Sequence, residues 1–257
     1  MELIDTHCHL EEIENLRAVI DRAKSTGLIG IIAVGSDYQS NGQILEITEK
    51  YKGFVYPALG FHPAMLNTSR IDRNLEFIEE HIAEAKGIGE IGLDYHKKII
   101  AMAPKELQKS VLREILVIAR KHRKPVIIHC RYAWRDALSL VEEAGMEKAV
   151  FHWYTGPSSI LRDIVSLGYY ISATPAAEYH QEHRRAVKAV SQEHLLIETD
   201  SPVSYGTDLR WQSEPADTLR TLKAVAKIRG AGEQELAQTT AKNATNFFDL
   251  PLGTQGG

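Results

Sequence analysis

The feature that most constrains this chain is an alternation, sustained from one end to the other, of short β-branched runs and longer amphipathic stretches. Runs at 3–7, 29–34, 54–59, 88–91, 126–129, 149–152, 169–172 and 195–199 read as strands, because brief bursts of Val, Ile and Leu bounded by polar residues and glycine suit extended segments with both faces covered. Between them apolar residues recur at the helical period. In 104–122, Leu107, Val111, Leu112, Ile115 and Ile118 fall on one face, and Pro104 suits a first-turn position. Further helices are predicted at 12–25, 43–51, 73–86, 134–144, 158–167, 183–191, 216–229 and 233–246. Strand and helix in alternation means parallel pairing with crossover helices, and eight such units allow the sheet to close on itself. The expected fold is therefore α/β, a (β/α)₈ TIM barrel, and 257 residues is an ordinary length for one. The alternative is an open doubly wound sheet, which usually carries a glycine-rich phosphate turn after its first strand, where this chain has His7-Cys8-His9. A single barrel domain is expected over 1–252, with 253–257 unpatterned and frayed.

Composition narrows the class. With 44% hydrophobic and 25% charged residues the chain is neither disordered nor fibrous. Its first residues show no basic segment followed by an apolar one, and nowhere do about 18 apolar residues run together, so no membrane association and a cytoplasmic location are expected. Cys8 and Cys130 both lie in histidine-bearing segments, and reduced thiols are expected in preference to a disulfide. A net charge of −4 argues against capture of nucleic acid by general electrostatics. A phosphate must then be held locally, and bound divalent cations would reverse the sign of the field in a cleft, so a phosphodiester substrate stays open.

In a barrel of this kind chemistry sits where the strands end. Strand one ends in Asp5-Thr6-His7-Cys8-His9, strand three in Gly60-Phe61-His62-Pro63 and strand four in Gly89-Glu90-Ile91-Gly92-Leu93-Asp94. Strand five ends in His129-Cys130-Arg131, strand six in His152-Trp153-Tyr154 and strand eight in Glu198-Thr199-Asp200-Ser201-Pro202. Five of the eleven histidines thus converge on one rim together with carboxylates. Imidazole with carboxylate suits zinc, manganese and related divalent ions, whereas magnesium leans more on carboxylates and water. A lone histidine at a strand end is more often a hydrogen-bonded core residue, and it is the convergence that makes His129 a ligand candidate. The period of two turns Asp5, His7 and His9 to one side, so that two imidazoles chelate one ion with Asp5 supporting them, and turns Cys8 and Cys130 toward the helices as small buried hydrophobes. Glu90, flanked by Ile88, Gly89, Ile91 and Gly92, needs a cationic partner, either a salt bridge or a pair of ions that it bridges. Asp200 reads as a strand-end ligand or a helix cap. His81, His122, His180, His183 and His194 read as solvated or capping residues, and His96, shortly after strand four, stays open between the two roles.

The segments DTHCHL at 5–10, GFHP at 60–63, GEIGLDY at 89–95, PVIIHCR at 125–131, FHWYTG at 151–156, ETDSP at 198–202 and NATNFF at 243–248 together resemble the TatD family of metal-dependent hydrolases, over nearly the whole chain. The resemblance implies one ion on His7, His9, Glu90 and Asp200 and a second on Glu90, His129 and His152. Zn, Mn and Mg are the candidate metals. It also implies a phosphodiester substrate, DNA or a nucleotide, with His62 and Arg131 on the phosphate and with Glu90 and Asp200 as the catalytic carboxylates that bridge the ions and orient or deprotonate water. Trp153, Tyr154, Tyr205 and Trp211 are candidates to stack a base, or else they pack loops. The sequence departs from the usual family pattern at Ala64 and Met65, at Trp153-Tyr154, and over 203–215 after Asp200, departures that bear on what the resemblance implies for the substrate and hardly on metal binding. Two rival readings use the same ligands. One is an amidohydrolase or lactonase, although Lys97 and Lys98 follow strand four too late to replace Glu90 as a bridge. The other is a metal- or nucleic-acid-binding protein without turnover.

Overall fold

A computed structural model of the chain describes residues 1–66 and 70–251, so the tail expected to fray at 253–257 lies outside the described residues. Eight parallel strands pair in chain order, β1 (Leu3–Cys8), β2 (Leu28–Val34), β3 (Val55–Phe61), β4 (Gly87–Asp94), β5 (Val126–Arg131), β6 (Ala149–Phe151), β7 (Tyr170–Ala173) and β8 (Leu195–Ile197). The sheet closes because the chain continues beyond β8 alongside β1. The Asp200 amide donates to the His7 carbonyl at 2.9 Å and the His9 amide to the Ser201 carbonyl at 2.8 Å. An open sheet would leave both edges unpaired, so this is the expected barrel.

The crossover helices are α1 (Leu16–Ser25), α2 (Tyr38–Lys50), α3 (Ile71–Glu80), α4 (Lys97–Met102), α5 (Lys105–Lys121), α6 (Trp134–Glu143), α7 (Ser158–Ser166), α8 (Gln181–Ala189), α9 (Thr218–Arg229) and α10 (Glu233–Phe248). Helix α2 begins earlier than its apolar pattern suggests because Asp37 caps it, accepting from the Gln39 and Ser40 amides while Ser40 Oγ accepts from the Asp37 amide. Pro104 precedes α5 as its N-cap, with ψ at 151°, and does not enter the first turn. Helix α4 and a short antiparallel hairpin, β9 (Ser204–Tyr205) with β10 (Trp211–Gln212), were not anticipated.

Strand alternation divides the apolar residues into two sets. Leu3, Ile31, Leu59, Ile128 and Phe151 face the helix layer. Ile4, Ile32, Ala58, Ile127, Val150 and Leu196 fill the barrel, where Phe247 and Phe248 of α10 pack against them. A β-carbon on Gly87, the first residue of β4, would lie 3.3 Å from the Phe248 ring, which puts the plug at the end where strands begin. No helix among the described residues is long and apolar enough to cross a membrane.

Candidate metal centre

At the opposite end the strand termini bring the six predicted ligands together. His7 is fully buried on β1, and its Nε2 lies 3.3 Å from His9 Nε2. Glu90 of β4 points one oxygen at this pair, Oε2 lying 3.5 Å from His7 Nε2 and 3.4 Å from His9 Nε2. Asp200 joins them with Oδ1 at 3.4 and 3.6 Å from the same nitrogens. The other oxygen, Glu90 Oε1, is 2.6 Å from His129 Nδ1 and 2.8 Å from His152 Nε2, and those two nitrogens are 3.4 Å apart. His62 stands beside this second pair, its Nε2 3.6 Å from Glu90 Oε1.

The backbone is shaped to permit this crowding. A β-carbon on Gly60 would overlap the Glu90 amide, and one on Gly92, where φ is 150°, would overlap the His129 carbonyl. Asp200 itself adopts a left-handed backbone, φ 51°, a conformation that costs roughly 1–3 kcal/mol and turns its carboxylate toward His7 and His9.

Electrostatically the site draws in positive charge. Burial pushes the Glu90 carboxyl up, and His152, His62 and His129 together reverse this and hold it well below its ordinary value. Burial likewise pushes Asp200 up, but the His9 hydrogen bond and the His7 and His152 rings bring it down. Burial disfavours the charged form of His9, yet Asp200, Glu11 and Glu90 hold its pKa well above the usual value. His62 goes the other way. Burial takes it down to about 3, and its Nδ1 accepts from the Ala64 amide at 3.0 Å, so the neutral ring carries its proton on Nε2, facing Glu90. These residues fit divalent cations. Each of the two close nitrogen pairs converges with carboxylate oxygen on one point, where a single cation can meet all the donor atoms at once. His7, His9 and Asp200 offer donor atoms within 4.8 Å of one another, as do His62, Glu90 and His129.

A profile described as TatD related DNase matches residues 4–249. The chain belongs to the TatD family. With this donor set it is a metal-dependent hydrolase. It is similar to human deoxyribonuclease TATDN3, 29% identical over 96% of this chain and 94% of that protein. An uncharacterized metal-dependent hydrolase, YabD of Bacillus subtilis (strain 168), is 31% identical over 96% of this chain and 99% of its own length. The crystal structure of YjjV, a TatD homolog from Escherichia coli K12, superposes with a TM-score of 0.87 at 26% identity, over 97% of this chain and 98% of that one.

Two carboxylates that sequence reading left without a role stand behind the second histidine pair of this TatD-family chain. Asp94 Oδ2 is 3.3 Å from His129 Nε2, and Glu198 Oε1 is 3.4 Å from His152 Nδ1 while accepting from the Trp153 amide at 3.1 Å. Such partners fix ring orientation and raise ligand basicity. Asp5, expected to support the imidazoles, instead bonds backbone and hydroxyl groups. It accepts from the His7 amide at 3.3 Å, the Thr199 amide at 3.0 Å and Thr199 Oγ1 at 2.6 Å, tying β1 to the segment that carries Asp200. Burial pushes its carboxyl up to about 8.

The outer candidates divide. Arg131 and Trp153 line a cleft of about 970 Å³ above the ligands, as do His62 and His180. Tyr154, predicted to meet substrate, is buried with its hydroxyl donating to the Pro157 carbonyl at 2.8 Å. Trp153 takes a left-handed φ of 42°, which breaks the alternation that would have aimed Tyr154 at the cleft. Tyr205 is buried too, donating to the Thr199 carbonyl, with Trp211 packed on it. His183 is neither solvated nor capping. It is fully buried, Nδ1 donating to the Tyr154 carbonyl at 2.9 Å and Nε2 accepting from the Thr174 amide at 3.1 Å, whereas His180 does cap α8. Cys8 is buried and Cys130 partly so, both packed on the helix side, with Cys130 also bordering the cleft.

Proposed function

We propose that this chain hydrolyses a phosphodiester bond in DNA or a nucleotide at a pair of divalent cations, with zinc or manganese favoured over magnesium by the imidazole-rich donor set. One observation carries the reading: the two oxygens of Glu90 face two separate histidine pairs, so a single carboxylate is shared by two ion positions. His7, His9, Glu90 and Asp200 would hold one ion and Glu90, His129 and His152 the other. When bound, the ions supply a lowered pKa for water and a Lewis acid for the phosphate oxygens, the chemistry by which two-metal sites favour in-line displacement at phosphorus.

The protein's own groups do the rest. Asp200, ionised because its histidine neighbours outweigh burial, orients the attacking water and takes its proton. Neutral His62 donates from Nε2 to a nonbridging oxygen, where charge grows during attack. Arg131, exposed at the cleft, adds a planar fork to the phosphate. The lactonase or amidohydrolase alternative has less support, since Lys97 and Lys98 sit exposed on α4, away from the bridging position that Glu90 holds. We place the chain in the cytoplasm, where the free thiols of Cys8 and Cys130 stay reduced.

The test is a His129→Ala variant assayed for bound metal and for cleavage of bis(p-nitrophenyl) phosphate, single-stranded DNA and a simple lactone. Metal content and phosphodiester cleavage should fall together, chelator should abolish cleavage, and added manganese or zinc should restore it in the wild type. Unchanged content and rate in the variant, or preference for the lactone, would overturn the reading.

A further inference from the structure

The residue after Arg131 at the end of β5 is Tyr132, which adopts a left-handed backbone, φ 59°, and keeps 59% of its surface exposed. For a bulky side chain that backbone is unfavourable, and an exposed ring gains little core packing to offset it. What the conformation achieves is placement. The ring stands on the lip of the cleft, edge-on to Trp134 with centroids 5.9 Å apart, and the Arg131 guanidinium lies 5.7 Å from its centre. Among the described residues Arg131 forms no ion pair, so its charge is available beside the ring. The neighbouring strand repeats the device, with Trp153 following His152 in the same backbone region and lining the same cleft. Two aromatic rings thus flank the ligands His129 and His152.

Beyond the lip a smaller groove of about 260 Å³ begins, sharing Tyr132 and Trp134 with the cleft and walled on the far side by Pro157 and Ile160. Trp134 is partly buried, and its indole N–H has no hydrogen-bond partner among the described residues. An exposed aromatic face, a free guanidinium and a groove that shares Tyr132 and Trp134 with the cleft together suit a nucleobase attached to the reacting phosphate. We propose that Tyr132 is the stacking platform for the base next to the cleaved bond, with the strand passing from the cleft into the groove beyond it. This rests on the phosphodiesterase reading above and names its substrate more closely as single-stranded, because the faces of paired bases inside a duplex are covered by their neighbours. Stacking of this kind tolerates any base, so the platform selects for an unpaired strand and against none of the four letters.

The experiment compares wild type, Tyr132→Ala and Tyr132→Phe, each loaded with manganese, on a single-stranded oligonucleotide carrying 2-aminopurine and on bis(p-nitrophenyl) phosphate, which has no base. Loss of the platform should raise KM for the oligonucleotide roughly 10-fold with little change in kcat, the size expected for one stacked base. It should also abolish the quenching of 2-aminopurine on binding, and leave turnover of the aryl ester unaltered. Tyr132→Phe should behave as wild type. Tyr132→Asn, which tolerates the left-handed backbone, repeats the measurement if alanine unsettles the turn. Unaltered oligonucleotide KM and quenching in the alanine variant, or equal competition by a duplex of the same sequence, would overturn the platform and leave the phosphodiesterase reading standing. Quenching that depends on Tyr132 in a wild type that cleaves neither substrate would keep the platform and overturn the cleavage reading.

Discussion

Where its strands begin, the barrel is stopped by Phe247 and Phe248, packed against one another with ring centroids 4.7 Å apart and against Ile4, Ile32 and Leu196. Where its strands end, the same barrel holds His7 Nδ1, His9 Nδ1 and Glu11 Oε2 buried without hydrogen-bond partners among the described residues, and three bulky or charged residues, Tyr132, Trp153 and Asp200, in left-handed backbone. One end gains stability by burying apolar surface. The other gives stability up, in desolvated polar atoms and unfavourable torsions, to hold donor atoms in register. Stability and chemistry are thus separated along the barrel axis, and each can be perturbed without the other.

The largest effect should come from the plug. Phe247→Ala removes a ring that is 1% exposed and should destabilise the fold by about 3–5 kcal/mol in denaturant unfolding. The folded fraction should keep its metal and its turnover, and a loss of metal as complete as in a ligand variant would break the separation.

Next is a residue that belongs to the stable part although it lies near the rim. His183 is held down to about 4 by burial, against an ordinary value near 6.5. Above pH 6.5 the ring is neutral in both folded and unfolded chains, and its environment adds no pH dependence. As the pH falls from 6.5 to 4 only the unfolded chain takes up the proton, so stability drops, by about 3 kcal/mol from this residue, and levels off below pH 4. Unfolding measured across this range should lose that slope in His183→Gln.

The smallest effect tests the layer behind the ligands. Glu198→Gln leaves His152 in place but weakens what orients it, so metal affinity should fall roughly 10- to 100-fold by equilibrium dialysis, with little change in unfolding. A large loss of stability with unchanged affinity would mean that Glu198 belongs to the scaffold.

The barrel and the gathering of six candidate ligands at one rim were legible because their signals are local: each strand is a short apolar burst, and each candidate is a polar residue in or just after one. Helix α4 escaped because it spans six residues and buries none of them. Asp94 and Glu198 escaped because their roles depend on neighbours across the sheet, residues 35 and 46 positions away in sequence, respectively. Tyr154 was misplaced because alternation assumes extended backbone, and Trp153 interrupts it. His183 was misread because nothing in a helical pattern reports that the ring bridges Tyr154 and Thr174.

The backbone bonds that run from Asp200 to His7 and from His9 to Ser201 make sealing the barrel and completing the centre a single event. A chain clipped ahead of β8 keeps all eleven histidines yet lacks Asp200 and the strand that closes the sheet. The donor set is therefore whole only in a chain whose final barrel strand has docked against its first.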